Sequence, residues 1–378
     1  MNTASPQALA TSPAGRPGAD DATAADRLSV VFVVRGRLAN LRKALDCLLA
    51  QTAADRIELL VSADSAALGR EVGDHVSAGN RFASIRVLVH ARSTIARGRR
   101  LAAMEATGTA VAIVEDHGFP EPGWAEELLA AFASSPDVLA AAPLMRNPHD
   151  GSAVSRAQFL LFHGAGPPRS AVERFVDQEA LPWHSTAYRR GPLAAATRDD
   201  GTFEAEIFLQ EGMRTAHPDG RFVRCQRASL DHVNMSRLLP ALGLAFHSGR
   251  VFGDERSRRR GWRAWHRIAR ATLFPLVALL KIRRSSPVLC DRSSLGRTLA
   301  NFATAVPIAA CHAAGEAVGT CFGKGRSPEA FSDFEVDRIR FQRPADRHLL
   351  LADTGRPGQA SSPPSRDTVH GPTPGTSA

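Results

Sequence analysis

The chain has 378 residues, 44% of them hydrophobic, with a formal net charge of +9 and a sequence pI of about 10.2. That length exceeds one ordinary core, so one main domain with appendages is expected, and the charge favours anionic partners: nucleic acid, acidic lipid or phosphorylated small molecules. The cysteines Cys47, Cys225, Cys290, Cys311 and Cys321 are scattered without a CxxC or Cys/His spacing, which argues against a zinc or disulfide scaffold and for reduced thiols in a cytosolic compartment.

In chain order, residues 1–26 are rich in Ala, Ser, Pro, Gly and Asp, as are residues 354–378. Neither tail has the apolar surface to offset its ordering entropy, so both are predicted to be disordered. No basic stretch followed by an apolar one opens the chain, so no secretory signal is expected. The run Leu28 to Val34 reads as a buried strand, Arg35-Gly36-Arg37 as a turn, and Leu38 to Leu49 as a helix with leucines at three- and four-residue steps. Further strands are expected at Ile57 to Val61, Ile85 to His90 and Ala110 to Val114, with a basic helix over Thr94 to Ala106.

After Trp124 a helix over Ala125 to Ala133 and a strand over Val138 to Ala142 continue the alternation, which implies an α/β fold with a doubly wound, mostly parallel sheet. The segment Asn147 to Leu181 has no clear period. A helix is expected to end near Thr215, followed by the block Arg221 to His232. From Arg250 to Arg284 the chain carries eleven Lys or Arg against two acids, around the apolar Ala271 to Leu280. Basic flanks with Trp262 and Trp265 beside a short apolar segment suggest a helix lying in an acidic membrane surface. Leu299 to Phe322 is apolar but interrupted by Pro307, His312 and Glu316, so monotopic attachment is favoured over a full crossing. Gly315 and Gly319, one turn apart, permit close helix contact.

The stretch AVAIVEDHGFPEPGW, Ala110 to Trp124, is where acidic side chains leave a buried strand. In open α/β sheets that position carries ligand chemistry. Together with Leu28 to Arg35, the strand end from Glu58 to Ser65, Ala96-Arg97-Gly98-Arg99, Trp183 to Arg190, Glu204-Ala205-Glu206 and Asp231-His232, it resembles the family-2 glycosyltransferases of GT-A fold in motif order and spacing. The resemblance spans roughly residues 28 to 255.

It implies a sugar transferred from a nucleotide-diphosphosugar to an acceptor hydroxyl, with inversion, in glycan or lipid-linked saccharide assembly. The family's Asp-x-Asp position, here Glu115, Asp116 and His117, implies Mg²⁺ or Mn²⁺ on the diphosphate, with His232 as a further ligand. The nucleotide falls to Val34, Arg35, Asp64 and Arg97. The acceptor-activating base is assigned to Glu206, with Glu204 and Glu211 as alternatives, and the acceptor pocket to Trp183 and His184. The chain departs from the family pattern at Ala63, Gly98, His117 and Ser185, where an acid, Asn, Asp and Asn are usual.

The implied organisation is a catalytic domain over residues 27–255 and a basic, apolar helical extension over 256–350, held peripherally or monotopically at the inner face of the cell membrane. A nucleotidyltransferase would need a longer, Lys-bearing phosphate loop after its first strand than Val34 to Arg37 provides. A non-catalytic membrane-associated scaffold of the same fold draws support from the departures. Nucleic acid is not an expected partner, because the basic run holds no recognisable RNA or DNA module.

Overall fold

A computed structural model describes residues 8–9, 26–91, 93–164, 173–182, 185–197, 203 and 206–352. The rest of both expected tails lies outside the described residues. The strands are β1 (Ala8–Leu9), β2 (Leu28–Val34), β3 (Ile57–Ala63), β4 (Ser84–Val89), β5 (Ala110–Val114), β6 (Gly118–Pro120), β7 (Val138–Arg146), β8 (Phe175–Asp177), β9 (Ala187–Arg189) and β10 (Arg221–His232). The helices are α1 (Arg42–Leu49), α2 (Ala66–Ala78), α3 (Ile95–Met104), α4 (Trp124–Ser134), α5 (Ala153–Phe162), α6 (Arg190–Ala196), α7 (Glu206–Ala216), α8 (Leu238–Arg259), α9 (Ala264–Thr272), α10 (Phe274–Leu289), α11 (Leu295–Phe322) and α12 (Ser327–Glu335).

All strands join one sheet in the order β1-β4-β3-β2-β5-β9-β7-β10-β6, with β8 also on β10. The long strands β4, β3, β2 and β5 pair in parallel, as do β7 and β10, while the two- and three-residue strands pair antiparallel. The sheet is therefore mixed, with its parallel character carried by the long strands. Residues 28–34, 57–63 and 110–114 are buried throughout, as near-continuous apolar runs covered on both faces must be. Val30, Phe32, Leu59 and Val61 pack towards α1, α2 and α4; Val31, Leu60 and Ile113 pack towards α3, α6 and α7.

The chain winds from β2 outward to β3 and β4, then returns to the other side of β2 as β5. The winding direction reverses between β2 and β5, so the crevice outside their C-terminal ends, at Val34-Arg35 and Glu115 to His117, is the topological switch point where such sheets bind ligands.

The helical layer is built on α8 and α11. Cβ atoms placed on Gly249 and Gly253 would lie 2.0 and 2.1 Å from the carbonyl oxygens of His312 and Glu316, and those on Gly315 and Gly319 would lie 2.0 and 1.9 Å from those of Phe246 and Arg250. Two Gly-x-x-x-Gly stripes thus face each other, and the helices touch backbone to backbone. Helix α8 runs through residue 255, so one helix belongs to both of the segments expected to meet there. By length and composition α11 is able to cross a membrane, but half of its apolar window is buried inside the protein.

Candidate active site at the switch point

Three elements converge on the crevice. The end of β5 supplies Glu115, Asp116 and His117; the end of β10, parallel to β7, supplies His232; and the first turn of α7 supplies Glu206. All five side chains are buried. Glu115 Oε2 stands 3.3 Å from both His117 Nε2 and His232 Nε2, and the two imidazole rings meet edge to face at 4.7 Å. One ligand atom from each of these three residues lies within 4.8 Å of the others, close enough to share a metal ion.

Asp116 is not part of that trio. Its Oδ1 lies 2.7 Å from His117 Nδ1, so it holds the ring from behind and leaves Nε2 to face Glu115. That is the carboxylate–histidine support typical of metal ligands. His117 Nε2, although buried, makes no hydrogen bond. Burial and the Arg338 guanidinium oppose a charge on His117, but Glu115 and the bond to Asp116 outweigh them and hold its pKa at about 9. His232 goes the other way: burial dominates and lowers it to about 4. The donor chemistry fits a divalent cation, and two imidazoles with one carboxylate suit a first-row transition metal better than Mg²⁺.

Arg99 ties this trio to Glu206. Its guanidinium is 2.6 Å from Glu115 Oε1 and 3.5 Å from Glu206 Oε1, with the arginine and both carboxylates almost wholly buried. Tyr188 Oη donates to Glu206 Oε2 at 3.2 Å and in turn accepts from Gln210. The phenol's pKa is raised well above its usual value by burial first and by the Glu206 charge second. Glu206, His232, His163 and Asn234 line a cleft of about 60 Å³.

The other sequence-derived positions fall in three groups. Val34, Arg35 and Asp64 sit at the same sheet edge, with the Asp64 amide donating to the Val34 carbonyl and its side chain half-buried. Arg97 is exposed on α3, two residues from the buried Arg99, and Glu211 is exposed on α7. Glu204, Trp183 and His184 lie outside the described residues.

One departure from the family pattern has a local reason, and a second runs against its backbone. A Cβ on Gly98 would come within 2.9 Å of Ser62 Oγ and 3.2 Å of Val33 Cγ1, so α3 reaches the sheet because residue 98 has no side chain. Ser185 is buried at φ 59°, a left-handed conformation that Asn adopts several-fold more often than other non-glycine residues.

Sequence reasoning missed Arg99, Glu335 and Arg338. Arg99 follows Ala96 by three residues on the buried face of α3, a signal that was present. Glu335 and Arg338 arrive from the far end of the chain. Glu335 ends α12 with Oε2 3.5 Å from His117 Nε2, and Arg338 pairs with it at 2.5 Å.

Residues 29–195 match the family model described as Glycosyl transferase family 2. No curated protein matches the chain. Among solved structures, the chain resembles residues 1–349 of S. aureus TarS in complex with UDP at a TM-score of 0.42 and 13% identity, over 76% of this chain and 89% of that one. A second S. aureus TarS structure gives the same score and identity, with 54% of that chain covered. The match on residues 29–195 spans the switch point and the strand end that bears Glu115 to His117, and over those residues the chain resembles a family-2 glycosyltransferase domain.

Proposed function

We propose that the protein is an inverting, metal-dependent glycosyltransferase that moves a sugar from a nucleotide-diphosphosugar to an acceptor hydroxyl. The observation carrying this is the Glu206–Arg99–Glu115 chain: it links a carboxylate on the cleft wall to a buried Glu/His/His cluster at the switch point. A divalent cation bound there supplies Lewis-acid stabilisation of the departing diphosphate. Glu115, His117 and His232 are the residues to hold it, with Asp116 fixing the His117 ring. Val34, Arg35 and Asp64 are positioned at the edge where the nucleotide would lie, and Arg97 is available from solvent.

Glu206 takes the acceptor proton. It is the one of the three glutamates considered that, among the described residues, faces the cleft. Arg99 keeps its carboxylate oriented, and the Tyr188 hydroxyl fixes the second oxygen. The glycosyl acceptor is a saccharide or lipid-linked saccharide, with Trp183 and His184 as its proposed contacts. We further read the helical segment 256–350 as the part that meets an acidic membrane at its cytoplasmic face. Its support is the set of exposed apolar side chains on α9 to α11, among them Trp265, Ile268, Leu276, Leu279 and Leu299, interspersed with Arg263, Arg267, Arg283 and Arg284.

Glu206→Gln tests the base. It keeps the shape of the side chain, so kcat should fall by about 10²–10⁴ with donor KM little changed. An unchanged kcat would remove Glu206 from the chemistry. Nuclear magnetic resonance of the first-formed product should show the anomeric configuration opposite to that of the donor.

A further inference from the structure

A second cluster of charges lies inside the helical layer, away from the switch point. On α11, His312 and Glu316 are one turn apart and both buried. The His312 ring is flanked by two phenylalanines, with centroids 5.7 Å away for Phe162 and 6.2 Å for Phe252. Each phenylalanine carries a cation on its face: Lys281 Nζ stands 4.2 Å from the Phe162 centroid, and the Arg256 guanidinium 4.3 Å from that of Phe252. Arg256 from α8 and Arg270 from α9 both donate to Glu316 Oε1, Arg270 at 3.0 Å. Cations from three helices thus gather around one buried imidazole.

The charges there do not balance. Four cations, Arg256, Arg270, Lys281 and the exposed Arg260, face two acids, the buried Glu316 and the exposed Glu211, which leaves a surplus of two positive charges. Among the described residues Lys281 makes no hydrogen bond and no ion pair, and burial lowers its pKa to about 8 although Glu316 is near. His312 Nε2 is buried and also makes no hydrogen bond. Burial, with Lys281 and Arg256 beside the ring, holds the His312 pKa well below the usual histidine value, and a neutral ring is able to donate from that nitrogen. Both guanidiniums meet the same carboxylate oxygen, so Glu316 aligns them and leaves each with donors to spare. Buried donors without acceptors in a field of surplus positive charge are costly unless an anion joins them.

We propose that this cluster binds a phosphomonoester, held by Lys281, Arg256 and His312. Such a group carries about two negative charges at neutral pH, which cancels the surplus, and its oxygens accept from all three side chains. The surroundings favour a lipid headgroup as its source: α9 and α10, which carry Arg270 and Lys281, also carry the exposed Trp265, Leu276 and Leu279. That choice of source rests on the membrane contact of the proposed function, whereas the anion site itself does not. Phe162 also lines the cleft that holds Glu206, so the site and the cleft share a wall.

The test uses the full chain and two probes: inorganic phosphate by calorimetry, and phosphatidylcholine vesicles that contain either phosphatidic acid, a monoester, or phosphatidylserine, a diester, at matched surface charge. Wild type should bind inorganic phosphate and prefer the phosphatidic acid vesicles. Lys281→Met, which keeps the length of the side chain and its contact with Phe162, should weaken phosphate binding at least about tenfold and abolish the preference. Without phosphate it should melt no lower than wild type, since it removes a buried charge that has no partner. Arg283→Met, an exposed cation on the same helix, should keep phosphate binding and the preference. A preference for phosphatidic acid without uptake of free phosphate would confine the site to lipid headgroups. Phosphate binding that is lost in Lys281→Met, with no vesicle binding by either protein, would keep the anion site and overturn the lipid source. No phosphate binding and equal binding to both vesicle types by wild type, or an unchanged preference in Lys281→Met, would overturn the site.

Discussion

The parallel half of the sheet and the helical layer bury their apolar residues in opposite ways. In β2, β3 and β5 nearly every side chain is enclosed by helices on two faces, so this half completes its own core. In the helical layer α8 and α11 are fused through glycine, yet α9 has no buried residue, and Trp265 and Leu279 are more than 60% exposed. A layer that packs tightly on one side and leaves large apolar groups outside on the other is built to meet something besides water. The proposed chemistry lies in the first region and the proposed membrane contact in the second.

Separating those roles is the way to break the comparison. The largest effect is expected on the outer face. Trp265→Ser with Leu279→Ser should weaken binding to acidic phospholipid vesicles by about tenfold per side chain, from about 1.4 kcal/mol of lost burial each, with turnover of a soluble acceptor unchanged. Sedimentation with vesicles reads it, and equal loss of turnover would join the two regions into one functional unit.

Inside the sheet region, Asp116→Ala should lower Mn²⁺ affinity by about 10–100-fold, because His117 loses the carboxylate that fixes its ring. Calorimetry reads this directly, and vesicle binding should not change. At the helical seam the effect is expected on stability alone. Gly253→Ala sets a methyl group against the Glu316 carbonyl and should destabilise the fold by about 1–3 kcal/mol. A denaturant titration reads the shift, while Gly261→Ala at an open position offers a control for the loss of glycine alone only in part, since its φ of 58° adds strain.

The two regions also differed in how far they could be read from sequence. Strands β2 and β5 were legible to the residue because a strand buried on both faces is a continuous apolar run with sharp ends. Helix α2 was passed over although Leu68, Val72 and Val76 repeat at four-residue steps; Gly69 and Gly73 diluted the signal. Helix α5 lay in the segment without a clear period, and it covers part of the helical core rather than the sheet.

At the site, Glu115 to His117 were visible because consecutive acids end a strand. Arg99 was hidden among neighbouring arginines whose chemistry is identical and whose difference is only which face of α3 they occupy. Glu335 and Arg338 were beyond reach, since no local pattern tells that a segment more than two hundred residues downstream folds back onto β5. The Gly315/Gly319 pair did announce a close contact, but its partner stripe on α8 needed the tertiary fold.

Glycosyl transfer at a buried metal centre is tested most directly by a panel of nucleotide-diphosphosugars incubated with the purified protein, wild type and Glu115→Gln side by side, with Mn²⁺ or with chelator. At least one donor should be hydrolysed or transferred by wild type in a metal-dependent way, and Glu115→Gln should not turn it over. Turnover that survives both the chelator and Glu115→Gln undiminished would contradict the metal centre.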